Sequence, residues 1–344
     1  MLVRFQLALP EVSMKKPVQN RYRIRPAILF SGLIILVLSL VSILVYLLNL
    51  PEPEVVEPDL TPPEISLNGD AVYTITVGTD FSVPEPTATD NGEEVEVVTT
   101  GSIDTSKVGN YILTYEATDA SGNIAIATRE VYVVQKNSGI VYLTFDDGPS
   151  EHTYRLLDVL KKYNVKATFF VTGSGDDAAI LRAYQEGHTI ALHSFTHSYS
   201  YIYQNTDIFF SDLYRIQERV KNITGQTVTL MRFPGGSSNT VSHKYDGGAK
   251  IMSQLVNEVK NRGFTYFDWN ISSGDAGETT STAVVARNVT SRLIKDGKSV
   301  VLQHDNKGFS VDAVESIIQY GLSEGYTFKG LDANAYQAHH RVSN

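Results

Sequence analysis

From residue 139 onward, short apolar runs alternate with amphipathic stretches of helical period, and this alternation constrains the fold more than any other feature. The apolar runs fall at 141–145, 167–171, 189–192, 229–232, 265–268, 299–303 and 326–329. Helices are expected between them, at 153–163, 176–186, 206–222, 249–262, 281–296 and 311–324. Seven strands with interleaved helices imply a parallel sheet, and a closed or nearly closed α/β barrel is the simplest arrangement.

On that scheme the ionisable residues that stand out lie at or just past strand C-termini: Asp146 and Asp147, His193, Arg232, Asp268 and His304. Active sites of α/β barrels gather at that face, and core packing alone would not aim charged groups from five strands at one mouth. Within the set, the adjacent Asp146 and Asp147 of TFDDGPS precede an H-x3-H pair, His193 and His197, in HSFTH. Two imidazoles and one carboxylate make a three-ligand catalytic zinc site that leaves a position open for water. The second carboxylate is then free to act as a base beside it, so the pattern points to a metal-dependent hydrolase. Four residues apart, the two histidines can face one way across a helical turn.

The composition removes other chemistries. There is no cysteine, which excludes thiol nucleophiles and cysteine-ligated zinc. Residues 61–136 carry twelve acids and three bases, whereas residues 137–344 sum to −1. No basic footprint for nucleic acid is present, and a nearly neutral catalytic half suits a neutral sugar polymer better than a polyanion.

Ahead of the α/β region, residues 27–50 are 24 residues without a charge, long enough for one helix to cross a bilayer. Residues 1–25 hold six basic side chains against Glu11 alone, and residues 51–60 hold four acids and no base. The positive-inside rule then leaves residues 1–26 in the cytoplasm and everything after the helix outside, facing the cell wall. The stretch exceeds a signal-peptide core and lacks a small-x-small cleavage site, so it reads as an uncleaved anchor. Met14, just before Lys15 and Lys16, is an alternative start. A Pro/Glu-rich stalk follows at 51–63. Short alternating strands with regular turn signals then fill 64–136 and argue a β-sandwich. Asp90 and Asp119 lie in those turns and read as hairpin chemistry rather than calcium ligands. The segment resembles the bacterial immunoglobulin-like modules of cell-surface proteins.

Five segments, TFDDGPS at 144–150, HSFTH at 193–197, RFPGG at 232–236, FDWNISSGD at 267–275 and VLQHD at 301–305, resemble in order and spacing the polysaccharide deacetylase family. These are the carbohydrate esterases of family four, with the chitooligosaccharide-deacetylase homology domain, and the likeness covers 139–344. It implies a distorted seven-stranded (β/α) barrel, in agreement with the strand count. It also implies Asp147, His193 and His197 as metal ligands, with Zn2+ favoured by the mixed imidazole and carboxylate set. Asp146 would be the general base and Arg232 the partner that holds it ionised and oriented.

His304 would be the acid that protonates the leaving amine, with Asp268 holding its imidazole and Asp275 a competing partner. The Gly235 N–H would complete an oxyanion hole, and Trp269 and Leu302 would line an apolar slot for the acetyl methyl. Two departures stand out. Many family members carry Tyr where this chain has Gly235, and some place an acid where it has Thr265.

Together these features predict a membrane-anchored, extracytoplasmic enzyme that hydrolyses N-acetyl groups on cell-wall polysaccharide. Peptidoglycan N-acetylglucosamine is the leading substrate. The alternatives are another acetylated polymer (poly-N-acetylglucosamine, chitin oligomers or an O-acetylated glycan) and an inactive wall-binding protein.

Overall fold

The computed structural model of the chain describes residues 26–49, 58–137 and 139–342, with side chains described from residue 32. The expected cytoplasmic segment before residue 26 and the stalk over 51–57 lie outside the described residues. The uncharged stretch forms a helix, α1 (Pro26–Leu48). Among the described residues no helix is long and apolar enough to cross a membrane, so the structure lends the expected spanning helix no support. The chain divides after Asp59, and residues 60–344 form a unit of their own.

That unit begins with seven strands: β1 (Glu64–Ser66), β2 (Val72–Thr76), β3 (Thr87–Asp90), β4 (Glu93–Val95), β5 (Val97–Thr100), β6 (Gly109–Thr118) and β7 (Ile124–Val134). They make two sheets, β1-β3-β4 and β2-β7-β6-β5, the two-sheet arrangement expected of a sandwich. Buried and more exposed residues alternate along β6, which places Leu113, Tyr115 and Ala117 inward. The Asp119 carboxylate accepts from the N–H groups of Ser121 and Asn123, as turn chemistry predicts.

The second part runs β8 (Ile140–Asp146), α2 (Thr153–Lys162), β9 (Thr168–Thr172), α3 (Asp177–Gln185), β10 (Thr189–Ser194), α4 (Tyr199–Ile202), α5 (Thr206–Thr224) and β11 (Leu230–Met231). It continues with α6 (Ile251–Asn261), β12 (Thr265–Tyr266), β13 (Ile271–Ser272), α7 (Thr282–Thr290), β14 (Lys298–His304), α8 (Gly308–Ser323) and β15 (Thr327–Phe328). All strand pairs are parallel, in the order β12-β11-β10-β9-β8-β14-β13, with β15 also on β8.

The sheet is more open than the expected closed or nearly closed, distorted seven-stranded barrel. β12 and β13 are its two edges and do not pair, so it is a half-barrel, and β13 is a strand that no apolar run announced. Two residues are too short to show periodicity. One sheet face packs on the helices through residues such as Leu143, Phe169, Val171 and Leu192. The other carries Tyr142, Phe170, Ala191, Phe267 and Val300, with Leu331 and Ala338 of the C-terminal segment laid against them. That segment is tied down by Leu331 N–H to Thr168 Oγ1 (2.8 Å) and by Asp268 N–H to Ala338 O (2.8 Å).

The two parts share one core. Val72, Tyr132 and Val134 of the sandwich belong to the same apolar cluster as Val165, Leu322 and Tyr326. Asn164 Nδ2 donates to Asp70 Oδ2 (3.0 Å) and Asn137 Nδ2 to Glu324 O (2.8 Å) across the junction. These residues lie at the N-terminal ends of the parallel strands, opposite the end where the ionisable residues gather.

Candidate active site

β8 ends on Asp146, and the chain then turns through Asp147 at φ +73°. A non-glycine residue holds that left-handed conformation only when its surroundings impose it. Here Thr172, closing β9, supplies the hold: its N–H donates to Gly148 O at 2.9 Å, and its hydroxyl lies 3.3 Å from Asp147 O. The turn separates two consecutive carboxylates, one meeting Arg232 and the other the histidines.

His193, near the end of β10, has Nδ1 2.9 Å from Arg232 O. A carbonyl only accepts, so the proton sits on Nδ1 and the Nε2 lone pair faces the site. His197 does not reach the same place across a helical turn, as its spacing suggested. It sits in a turn after the strand, at φ +49°. That turn is organised by Asp212, a buried acid on α5, which accepts from Ser194 Oγ (2.6 Å), Phe195 N (2.6 Å) and Thr196 N (3.1 Å). Ser194 Oγ in turn accepts from His197 N at 2.9 Å.

Asp147 Oδ1 lies 3.4 Å from His193 Nε2 and 3.1 Å from His197 Nε2. Tetrahedral bonds of about 2.0–2.1 Å set ligand atoms about 3.3 Å apart. The same oxygen is buried with no hydrogen-bond partner among the described residues, an orphan that a cation would satisfy. Burial works to raise the Asp147 pKa, but the facing imidazoles of His193, His197 and His304 hold it well below the usual carboxylate range. Burial and the charge of His193 push His197 down, against the pull of Asp147 and Asp146. An ionised carboxylate and neutral imidazoles are the forms that bind a divalent metal, and the three residues fit one.

Around this cluster stand the other expected residues. Arg232 is completely buried and spends its donors on Asp146 Oδ1 (2.8 Å), Thr144 Oγ1 (2.7 Å), Phe267 O (3.0 Å) and Asp268 O (2.9 Å). Its guanidinium also lies over the Phe170 ring, 4.1 Å from the centroid. His304 closes β14, with Nε2 4.0 Å from Asp147 Oδ2. The carboxylate that holds it is Asp275, 2.8 Å from His304 Nδ1 and 2.8 Å from its N–H, with Ser310 Oγ as a third donor at 2.6 Å. Burial works against the His304 charge, yet the Asp275 hydrogen bond and the charges of Asp275, Asp146 and Asp147 leave its pKa raised.

The expectation that Asp268 orients His304 is therefore corrected. Asp268 accepts from Ser237 N–H and hydroxyl and from His340 N–H (2.8 Å), fastening the loop of Gly235 and Gly236 to the C-terminal segment. The chain leaves the mouth after β12 and returns along β13, and this return carries Asp275, not Asp268, beside β14. Trp269 packs under Gly236, against the Arg232 guanidinium and edge-on to His340, so it supports that loop from beneath. Leu302 is buried on β14 two residues before His304 and so shares its face of the sheet. Gly235 has φ +77° and Gly236 φ +79°.

Four further residues escaped the sequence. Asp212 had a signal, an acid on the apolar face made by Phe209, Leu213 and Ile216. Ser237 and His340 had none, because their shared partner Asp268 is distant in sequence. Asp305 is buried beneath Gly148 with Oδ1 unpartnered among the described residues, and burial first, then the charges of Asp147 and Asp146, push it up to about 7. His188 is buried and His340 half-buried, each with a hydrogen-bond partner.

The comparisons with known proteins agree with this geometry. Residues 134–251 match the family model described as polysaccharide deacetylase, and residues 65–133 match the Ig-like domain of bacterial surface proteins. A peptidoglycan-N-acetylglucosamine deacetylase of Bacillus cereus is 33% identical over 209 residues, covering 58% of this chain and 72% of the relative. The chain belongs to the polysaccharide deacetylase family. Among solved structures, the catalytic domain of a peptidoglycan N-acetylglucosamine deacetylase from Eubacterium rectale is 51% identical with a TM-score of 0.58, covering 62% of this chain and 96% of that one. A polysaccharide deacetylase of Bacillus cereus is 31% identical with a TM-score of 0.51, covering 58% and 96%. Members of the deacetylase family are metal-dependent hydrolases, which the cluster of Asp147, His193 and His197 matches.

Proposed function

We propose that this deacetylase removes the acetyl group of N-acetylglucosamine in peptidoglycan. The observation that carries the reading is the pairing of two buried systems across one mouth: Arg232–Asp146 beside the metal ligands, and Asp275–His304 opposite. A base and an acid held on either side of one carbonyl are what amide hydrolysis requires. The similarity to relatives named for peptidoglycan N-acetylglucosamine supports the substrate.

Asp147, His193 and His197 would hold the metal, with zinc favoured by the ligand set. Bound there, it supplies a Lewis acid that polarises the acetyl oxygen and lets water lose a proton near neutral pH. Asp146, oriented by Arg232, takes that proton as the water oxygen attacks the acetyl carbon. The Gly235 N–H donates to the developing oxyanion. His304, kept charged by Asp275, gives its proton to the sugar nitrogen as the C–N bond breaks, leaving acetate and a free amine. An ester alkoxide needs that proton less than an amine does.

The same proposal puts the enzyme on the outer face of the cell membrane, with the uncharged sequence stretch 27–50 as its anchor. Support comes from the absence of charge in Pro26–Leu48, the basic residues before it and the acidic residues after it. The match of 65–133 to a surface-protein module points the same way.

The test is acetate release from purified peptidoglycan by the full chain, with zinc and then with chelator, beside Asp147→Ala. Zinc-dependent release, lost at least 10³-fold in the variant, is the expected outcome. Zinc bound at one equivalent without any release would reject peptidoglycan as the substrate.

A further inference from the structure

Where many family members carry Tyr, this chain has Gly235, and the space a side chain would need there is already taken. A Cβ placed on Gly235 would lie 2.7 Å from Tyr199 Oη and 3.2 Å from Tyr199 Cε1. The phenol comes from a different element, at the start of α4, two residues beyond the metal ligand His197. Its ring is fixed edge-on to His197 and against Tyr203, with centroids 5.6 Å away in both cases.

The two tyrosines differ at their tips. Tyr203 is buried, with its hydroxyl donating to Pro234 O at 2.7 Å. Tyr199 is only half-buried, and its hydroxyl has no hydrogen-bond partner among the described residues. A phenol with a packed ring and a free donor, next to the glycine whose N–H is assigned to the oxyanion under the proposed function, is placed to bind something that arrives.

We propose that the Tyr199 hydroxyl is a catalytic donor in this mouth, giving a hydrogen bond to the acetyl oxygen beside the Gly235 N–H. The inference rests on the deacetylase reading. It explains how the chain dispenses with a side chain at 235: the wall of the mouth is supplied from α4 instead, with its own donor. The acetyl oxygen gains negative charge only as water adds, so the contact strengthens towards the transition state and belongs in kcat more than in KM.

Tyr199→Phe removes the hydroxyl and keeps the ring packing. Two quantities are compared with the wild type: steady-state acetate release, and the affinity of the zinc-loaded protein for acetate, the reaction product, read by NMR titration. The expected result is a fall in kcat of at least tenfold with KM within twofold, acetate affinity weaker by about fivefold or more, and zinc stoichiometry and Tm unchanged. Values of kcat and acetate affinity within twofold of wild type would overturn the proposal. So would loss of zinc in the variant, which would make Tyr199 a prop for His197. If the wild type releases no acetate from glycan strands, the substrate reading fails, while acetate affinity still decides the role of Tyr199.

Discussion

At one end of the parallel sheet the strands run out into buried charge; at the other they run into an apolar junction with the Ig-like sandwich. Asp146, Arg232, Asp275 and His304 are each satisfied by another charged or polar group at the mouth. Two of the three residues that would hold a metal, Asp147 and His197, also sit in left-handed backbone. At the far end Val72, Tyr132 and Val134 merge with Val165, Leu322 and Tyr326 in one apolar cluster. The contrast separates two kinds of dependence. Removing one group at the mouth strands its partner, because a buried charge loses its compensation. Removing a methyl group at the junction costs only the surface and contacts of that group.

Three variants sharpen the comparison. Asp275→Asn should have the largest effect, about 10² or more in kcat, because His304 loses the carboxylate that keeps it charged. The sign on pH follows from the raised His304 pKa: the acid is available at low pH and is lost as pH rises through that value. Without Asp275 the basic limb of the kcat profile should move to lower pH, and an unmoved limb would show that another group is the acid. Val134→Ala, at the junction, should lower stability by about 1–2 kcal/mol in urea unfolding while leaving kcat within twofold. It should also preserve a single transition for the sandwich and the sheet, and two separate transitions would break the picture of one shared core.

The smallest effect concerns His188, buried away from the mouth, with Nδ1 accepting from Ala167 N at 3.2 Å. Burial first, then the charges of Lys166 and Arg182, lower its pKa from 6.5 to about 4. The unfolded chain therefore binds the proton more readily between those values, and stability is lost as pH falls through that window. The wild type should lose about 1 kcal/mol between pH 7 and 5.5 through this group, and His188→Gln should flatten that part of the curve.

Much of this organisation was legible in the chain. Long apolar runs marked β8, β9, β10 and β14, and their polar C-terminal neighbours marked the mouth, because strand period and strand ends are local properties. Asp147, His193 and His197 are recovered together because their spacing is distinctive. The errors came where partners are set by tertiary return. Asp268 ends a visible run and invited pairing with His304, but β13 is only two residues long and brings Asp275 there instead. The open sheet was hidden for the same reason, since nothing local in β12 or β13 says that the two edges stay apart. His340 reaches Asp268 from 72 residues away, a contact with no sequence period to betray it.

The most direct test of the account is mass spectrometry of muropeptides from peptidoglycan treated with the zinc-loaded enzyme, with released acetate measured in parallel. Glucosamine should appear in place of N-acetylglucosamine, with one acetate released for each new amine. Acetate released without new amines would contradict it, because the chemistry of this mouth would then be directed at esters.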